Sequence, residues 1–418
     1  MTRTTAIRIG FLAAALSWAA GAPAQDLTIT NARILDGDGS VIEQGSLIVR
    51  DGRIAEIVRG QARQSVGRTI DAGGRTVMPG FIDSHRHIIR GDGDEWLRSH
   101  AAAQFQEFLE AGFTTVVSAI DGPELLEARR RIERGEMKGP RIFAAAFLPL
   151  SAMPLGGGGE DAARTDPSRS GRPTTPAPAI PREATIRAVE NAAAAGYDYI
   201  KTLMIQTPNG PEVDTLKLIV EEGAKHGLPV ITHAVSIQDT LAALEAAPAA
   251  LVHTPHIGHL GDDPDAVRKI VDAGIPMSST LAVFVPHFGE DNDPLFRDGR
   301  PFPWHTISSA GQGPVNARIL WEAGLTAYGY GTDTQWPPKQ SLVDKLRALR
   351  LVFSPRDVVT ILTKHAAAAA LKSDELGTLE PGKLADIVII DGKPDESSAA
   401  LLGVVMTIKG GVVVFERT

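Results

Sequence analysis

The chain has 418 residues, of which 43% are hydrophobic, and its 42 basic and 50 acidic residues give a formal net charge of −8. This net negative charge argues against a nucleic-acid-binding protein, which would carry an excess of basic residues. The length allows a barrel of roughly 250 residues plus a smaller unit. The sequence has no cysteine, which excludes disulfides, thiolate metal ligands and a cysteine nucleophile.

The first 24 residues have the pattern of a secretory signal peptide. Arg3 and Arg8 give a positive start, residues 9–20 are a short apolar stretch, and residues 22–24 (APA) form an A-x-A cleavage site. The apolar stretch is too short to span a bilayer comfortably, so we expect a removed signal rather than an anchor. The mature protein is therefore predicted to be periplasmic or secreted and not membrane-associated.

Both ends of the mature chain are predicted to be β-structure. Residues 27–70 alternate apolar stretches with Asp-Gly pairs, which are strong hairpin signals. The same alternating pattern returns after residue 376. Isolated hairpins cannot bury both of their faces, so the two ends are expected to pair. We predict a composite β-sandwich domain from residues 25–75 and 375–418.

The middle of the chain, residues 76–374, alternates strand and helix patterns. This rhythm is typical of a parallel barrel and predicts an α/β fold, a (β/α)8 TIM-like barrel inserted in the small β-sandwich. The predicted barrel strands are residues 77–82, 114–118, 141–146, 199–200, 229–232, 249–252, 276–280 and 327–332. The predicted helices are residues 96–111, 124–134, 182–195, 213–226, 237–246 and 264–273.

Two long segments interrupt this rhythm. Residues 151–181 are rich in glycine and proline, have no apolar periodicity and follow the third predicted strand. A loop of this length is usually a lid, a binding loop or a disordered piece, and the sequence leaves open whether it covers the substrate. Residues 285–313 form a second long loop, after the seventh predicted strand.

Ionisable side chains stand at the ends of five predicted strands. The C-terminal ends of parallel barrel strands converge at one mouth, where barrel enzymes carry out their chemistry. Four imidazoles, a lysine and a carboxylate converging there predict a metal site and metal-assisted hydrolysis. The predicted metal-site residues are His85, His87, Lys201, His233, His253 and Asp333.

The first pair has a spacing that suits metal binding. His85 and His87 are one residue apart, so on an extended strand end both side chains point to the same side while Arg86 faces away. Spacing alone does not decide which histidine is the sixth-strand ligand, because His256 and His259 closely follow His253. His253 is preferred because it directly ends the apolar run; the other two are expected to orient ligands, contact substrate or cap the loop.

Two motifs carry a family resemblance. Residues 77–87 (VMPGFIDSHRH) and 377–388 (GTLEPGKLADIV) resemble motifs of the amidohydrolase superfamily of metal-dependent hydrolases, in its binuclear subtype with a carboxylated lysine. The likeness extends from about residue 27 to residue 418. Within the superfamily the chain is most similar to the imidazolonepropionase and prolidase-like branch, which includes ochratoxin-cleaving amidases. The 20-residue step from His233 to His253 suits that branch.

The resemblance implies two divalent metal ions, with zinc expected and manganese, cobalt or iron left open by the ligand types. His85, His87 and Asp333 would hold one ion, and His233 and His253 the other. A desolvated lysine beside metals loses its proton readily and can capture carbon dioxide, so Lys201 would become a carbamate that bridges the ions.

The implied reaction is hydrolysis of an amide bond by a metal-bridging hydroxide, with Asp333 passing a proton to the leaving amine. The expected partner is a small-molecule amide, either peptide-like or an N-acyl amino acid; His256, His287 and His305 are candidate substrate contacts, and homo-oligomerisation stays open. An esterase, lactonase or phosphotriesterase could use the same site. A mononuclear deaminase is disfavoured by Lys201 and by the lack of glutamate shortly after His233, and a non-catalytic binding protein by the full ligand set.

Overall fold

The computed structural model of the chain describes residues 25–152, 174–281, 309–325 and 327–417. Within them the chain forms two eight-stranded sheets, one of which carries the helices of a barrel. The predicted signal peptide, residues 1–24, lies outside the described residues, as does most of the predicted loop at 151–181. Among the described residues we find no helix of the length and apolar character that a membrane span requires.

Both ends of the chain build the first sheet, here called the terminal sheet. Its strand order is β16-β15-β14-β5-β1-β2-β3, with β4 pairing beside β1. The hairpin between β2 and β3 turns at Asp51 (φ 50°) and Gly52 (φ 74°), the left-handed pair that a tight hairpin turn requires. The strands are β1 (Leu27–Leu35), β2 (Val41–Arg50), β3 (Arg53–Arg59), β4 (Arg68–Asp71), β5 (Thr76–Pro79), β14 (Ile387–Ile390), β15 (Val404–Lys409) and β16 (Val412–Glu416).

The second sheet is a parallel barrel in which the strands follow chain order from β6 to β13. Backbone hydrogen bonds close it, because Ser84 N donates to Tyr330 O (2.8 Å) and Thr332 N donates to His85 O (2.9 Å). The predicted (β/α)8 barrel is thereby confirmed. Its strands are β6 (Phe81–Arg86), β7 (Phe113–Ser118), β8 (Arg141–Phe147), β9 (Tyr199–Leu203), β10 (Val230–His233), β11 (Ala250–Val252), β12 (Met277–Ser278) and β13 (Tyr328–Gly329).

The structure divides the predicted strand at residues 77–82 into two strands of different sheets. Residues before Gly80 pair with β14 and β1 in the terminal sheet, while those after it begin the barrel as β6. Gly80 is required at the crossing because a Cβ atom there would collide with the side chain of Thr114. The first barrel strand is therefore anchored directly to the terminal sheet.

The helices surround the barrel and pack apolar side chains onto its strands. The predicted helix at residues 96–111 is interrupted at His100, whose backbone ends one helix and begins the next. The helices are α1 (Gly93–Ser99), α2 (Ala101–Glu110), α3 (Pro123–Glu133), α4 (Arg182–Ala195), α5 (Glu212–Lys225), α6 (Ile237–Leu244), α7 (Pro264–Asp272), α8 (Ser309–Glu322), α9 (Pro338–Leu349), α10 (Pro355–Leu362) and α11 (Lys364–Ala369).

Candidate metal centre

The predicted metal-site residues meet at the C-terminal end of the barrel. His85 lies in β6 and His87 follows it, while Lys201 lies in β9 and His233 ends β10. The remaining two residues come just after strands: His253 directly after β11 and Asp333 after β13. The structure therefore brings ligand types from five strands to one mouth, as the sequence predicts.

Three of these side chains form a compact group around one carboxylate oxygen. Asp333 Oδ1 lies 3.1 Å from His85 Nε2 and 2.9 Å from His87 Nε2. All three ligand atoms lie within 4.8 Å of one another, and no other group of three His, Asp or Glu residues in the described chain does so. Ligand atoms about 2.0–2.2 Å from one Zn²⁺ have separations of this order, so this group fits a divalent ion.

The other two histidines lie beside this group. The ring centroids of His233 and His253 are 4.3 Å apart, and those of His253 and His85 are 5.3 Å apart. His253 Nδ1 also lies 3.8 Å from Asp333 Oδ2 and shares a hydrogen bond of 2.7 Å with Thr280 Oγ1. Asp333 thus lies close to candidate ligands of both predicted metal ions, and the Thr280 hydroxyl orients the His253 imidazole.

Lys201 is completely enclosed in the barrel, with 1% of its surface exposed. Its Nζ donates a hydrogen bond of 3.3 Å to Thr202 O. Burial lowers the pKa of Lys201 to about 7, although the negative charge of Asp333 raises it. A neutral amine is consequently available near neutral pH, in the form that can react with carbon dioxide.

Three of the four candidate ligand histidines and the candidate ligand Asp333 have the protonation states of metal ligands. Burial lowers the pKa of His85 to about 4 and holds those of His233 and His253 well below the usual value. Burial opposes ionisation of Asp333, but His253 and His85 outweigh it and hold the pKa of this carboxyl well below its usual range. Neutral imidazoles beside an ionised carboxylate are the states that metal binding requires.

Backbone strain is concentrated at the same residues. His253 (φ 79°), Asp333 (φ 52°) and Thr280 (φ 38°) adopt left-handed conformations that cost non-glycine residues energy. Such strain clusters at functional sites, where the surrounding structure holds it in place. The backbone at these strand ends is therefore strained at the residues whose side chains form the candidate site.

A buried network that the sequence did not indicate holds the first and eighth strands together. Asp83 Oδ2 accepts hydrogen bonds from Thr332 Oγ1 (2.6 Å) and Arg86 Nη1 (3.3 Å), and its Oδ1 accepts one from Thr332 N (3.0 Å). Arg86 also donates to Thr332 Oγ1 and to Trp336 O, so it faces away from the two histidines as predicted. The network fixes the backbone on both sides of the His85, His87 and Asp333 group.

We expect Thr332→Val to weaken metal binding by roughly 10–100-fold, because it removes the hydroxyl that joins Asp83 to Arg86 without changing any ligand. Metal affinity would be measured by competition with a chromogenic chelator. Thr407→Val is the matched control: it removes a buried hydroxyl of β15 in the terminal sheet, which donates to Leu109 O in α2. Equal metal affinity in the two variants would contradict the role of the network.

The candidate substrate contacts divide between described and undescribed residues. His256 lies at the mouth, is 6% exposed and donates its backbone N–H to Val235 O (2.9 Å). Burial lowers the pKa of His256 to about 4, so its ring is neutral at physiological pH. His287 and His305 lie outside the described residues. The substrate-contact role of all three stays a prediction.

The stability of the metal-free protein should fall as the pH drops from about 6.5 toward 4. In this window the unfolded chain protonates histidines near pH 6.5, whereas folded His85 and His256 stay neutral to about pH 4. Each such histidine lowers the free energy of unfolding by up to about 1.4 kcal/mol per pH unit as the pH falls. His87 acts oppositely: burial lowers its pKa, but the hydrogen bond to Asp333 outweighs this and raises it. Thermal unfolding with chelator from pH 7.5 to 5 checks the sign; a constant Tm would contradict it.

Residues 76–414 match the family model described as Amidohydrolase family. The chain belongs to the Amidohydrolase family. It is 27% identical over 400 residues to an imidazolonepropionase of Symbiobacterium thermophilum, covering 84% of this chain and 85% of that protein. It is 25% identical over 367 residues to a dihydroorotase of Anaeromyxobacter dehalogenans, covering 83% and 73%. The predicted class of enzyme, a hydrolase of carbon–nitrogen bonds, is confirmed.

Solved structures of amidohydrolases share the fold. A Xaa-Pro dipeptidase crystallised with bound methionine superposes with a TM-score of 0.73 at 22% identity, covering 93% of this chain and 99% of that one. The ochratoxinase of A. niger has a TM-score of 0.69 at 21% identity, covering 94% and 96%. The predicted likeness to the imidazolonepropionase and prolidase-like branch is confirmed.

Proposed function

We propose that this amidohydrolase cleaves an amide bond in a peptide-like or N-acyl amino acid substrate, using two divalent metal ions. The observation that carries the proposal is the compact His85, His87 and Asp333 group with a fully buried lysine in the same barrel mouth. The names of related proteins support the bond type: one is a dipeptidase, and two others, an imidazolonepropionase and a dihydroorotase, are amidohydrolase relatives.

The residues present fit such ions. His85, His87 and Asp333 would hold one ion, and His233 and His253 the other; nitrogen and oxygen ligands without sulfur suit zinc. When bound, the ions supply Lewis-acid chemistry, polarising a carbonyl group and lowering the pKa of a coordinated water.

Lys201 would provide the bridging anion. Its neutral amine forms a nitrogen–carbon bond to carbon dioxide and releases one proton, which leaves a carbamate with two oxygen ligands. Full burial supports this role, because a protonated lysine in that position would be unfavourable beside cations, and the pKa of about 7 makes the neutral form accessible.

Asp333 would move the proton. Its pKa is held well below the usual range, mainly by His253 and His85 against the effect of burial, and its carboxylate faces His85, His87 and His253 at once. From this position it can accept a proton from the attacking water and deliver it to the leaving amine nitrogen.

We predict about two metal ions per purified chain, because six residues offer ligands for two positions with a shared bridge. Elemental analysis after gentle purification would measure the stoichiometry. The same preparation would be screened with Zn²⁺ against N-acyl amino acids, prolyl dipeptides, cyclic amides and lactones. One tightly held ion with full activity would contradict the binuclear proposal, and hydrolysis of an ester without hydrolysis of its matched amide would favour the esterase alternative.

A further inference from the structure

Four large apolar side chains are unusually exposed within the part of the chain that the structure describes. They are Ile120 (42%), Ile205 (36%), Ile257 (37%) and Trp336 (41%). All four lie on loops after the C-terminal ends of barrel strands β7, β9, β11 and β13. Isolated exposed apolar residues are ordinary, but here the described terminal sheet and helices contribute none. We call these four residues the apolar rim.

One half of the apolar rim is fixed beside the fifth barrel strand. Met204, next to Ile205, donates its backbone N–H to His233 O at 2.8 Å. Ile257 donates its own backbone N–H to Val235 O at 3.1 Å, two residues beyond His233. Both isoleucines therefore flank the end of β10.

The other half is fixed beside the first barrel strand. The carboxylate of Asp121, next to Ile120, accepts hydrogen bonds from Ile88 N (2.8 Å) and Ile89 N (2.9 Å), directly after His87. Trp336 accepts a hydrogen bond from the side chain of Arg86 through its backbone carbonyl. Ile120 and Trp336 therefore flank the end of β6.

These two pairs lie at opposite sides of the barrel mouth that holds the candidate metal ligands. In a closed barrel of eight strands in chain order, the first strand stands opposite the fifth. Ile205, Ile257 and Trp336 are each only three or four residues beyond Lys201, His253 and Asp333. A fully extended chain covers at most about 3.6 Å per residue, so each lies within roughly 14 Å of a candidate ligand.

We propose that the substrate amide carries an apolar group on both sides of the scissile bond, one on the acyl portion and one on the amine portion. This inference rests on the proposed amide hydrolysis. A bond held at the metal centre extends its two substituents in opposite directions, toward the pair at β6 and the pair at β10. Exposed apolar side chains around a binding site favour ligands that bury apolar surface against them.

The test is a matrix of four substrates: N-acetylserine, N-acetylleucine, N-octanoylserine and N-octanoylleucine. We expect kcat/KM to rise roughly tenfold for each apolar substituent, because burying a leucine-sized group contributes enough for such a factor. N-octanoylleucine should therefore exceed N-acetylserine by about a hundredfold. Equal kcat/KM for all four would overturn the inference while leaving amide hydrolysis intact.

Paired variants assign the two sides. Ile205→Ser with Ile257→Ser should remove the preference at one substituent only, and Ile120→Ser with Trp336→Ser the preference at the other, chiefly through KM. Val412→Ser, which removes partly exposed apolar surface from β16, is the matched control and should leave all four rates unchanged. Equal losses for all four substrates with a lower Tm would mean that the rim packs against the enzyme itself, and would overturn the inference.

If no member of the matrix is hydrolysed by the metal-loaded enzyme, calorimetric titration of the same four compounds decides the inference; the proposed function itself fails only if the other amides of the screen are also left uncleaved. Tighter binding of the apolar members, reduced in the paired variants, would support it. Equal affinities for all four would overturn it.

Discussion

Replacing Lys201 with alanine should abolish activity, and small carboxylates such as formate or acetate should restore part of it. The expectation follows from the complete burial of Lys201 and its lowered pKa of about 7, which together favour a neutral amine that carbon dioxide converts into an anion. Alanine removes this anion and leaves space that a small carboxylate can fill. Initial rates with a cleaved amide substrate, measured against increasing formate, would show the rescue.

A second buried lysine provides the matched control. Lys345 in α9 is also fully buried, and its Nζ has no hydrogen-bond partner among the described residues. Lys345→Met removes a buried amine outside the candidate ligand group, so formate should not change the rate of this variant. An active Lys201→Ala enzyme, or formate stimulation of both variants alike, would rule out the carbamate role.

The barrel and the meeting of the candidate metal ligands at its mouth could be predicted because their signals are local in the sequence. Alternating strand and helix patterns indicate a parallel barrel, and each candidate ligand directly follows an apolar run. The end of every parallel strand lies at the same mouth, so chain position alone brings His85 and Asp333 together although 248 residues separate them. The strand order of the barrel therefore predicts that these residues lie close together, although the sequence gives no distances.

The network around Asp83 could not be predicted in this way. Its partner Thr332 is 249 residues away, and neither residue type is unusual at the end of a strand. The pairing depends on how the first and eighth strands close the barrel, which involves backbone hydrogen bonds rather than a motif. The division at Gly80 likewise depends on packing, because the backbone there passes close to the side chain of Thr114.

The apolar rim could not be predicted from the sequence either, because its residue types suggest burial rather than exposure. Ile120, Ile205 and Ile257 are of a residue type that is typical of protein cores. An isoleucine after a strand is therefore ordinarily predicted to be buried. Their exposure depends on loop conformations that carry no apolar period. Substrate preference therefore has to be argued from the folded protein, whereas the reaction type follows from the residues at the strand ends.

Asp333→Asn should retain much of its metal yet lose most of its turnover. Five other candidate ligands remain, and the asparagine carbonyl oxygen can still coordinate an ion, but an amide cannot accept and return a proton. Removing general acid–base catalysis typically lowers the rate by about 10²–10⁴-fold. Turnover would be measured at saturating Zn²⁺, with metal content determined on the same sample.

Comparison with Thr332→Val separates proton transfer from metal loss. That variant should recover its rate when Zn²⁺ is raised, since its defect is metal affinity, whereas Asp333→Asn should stay slow at every Zn²⁺ concentration. The pKa of Asp333 is held well below its usual range by His253 and His85 despite burial, so the carboxylate is charged near neutral pH. Near wild-type turnover of Asp333→Asn at saturating Zn²⁺ would make Asp333 a structural residue and leave His256 and His287 as the next candidates for the proton carrier.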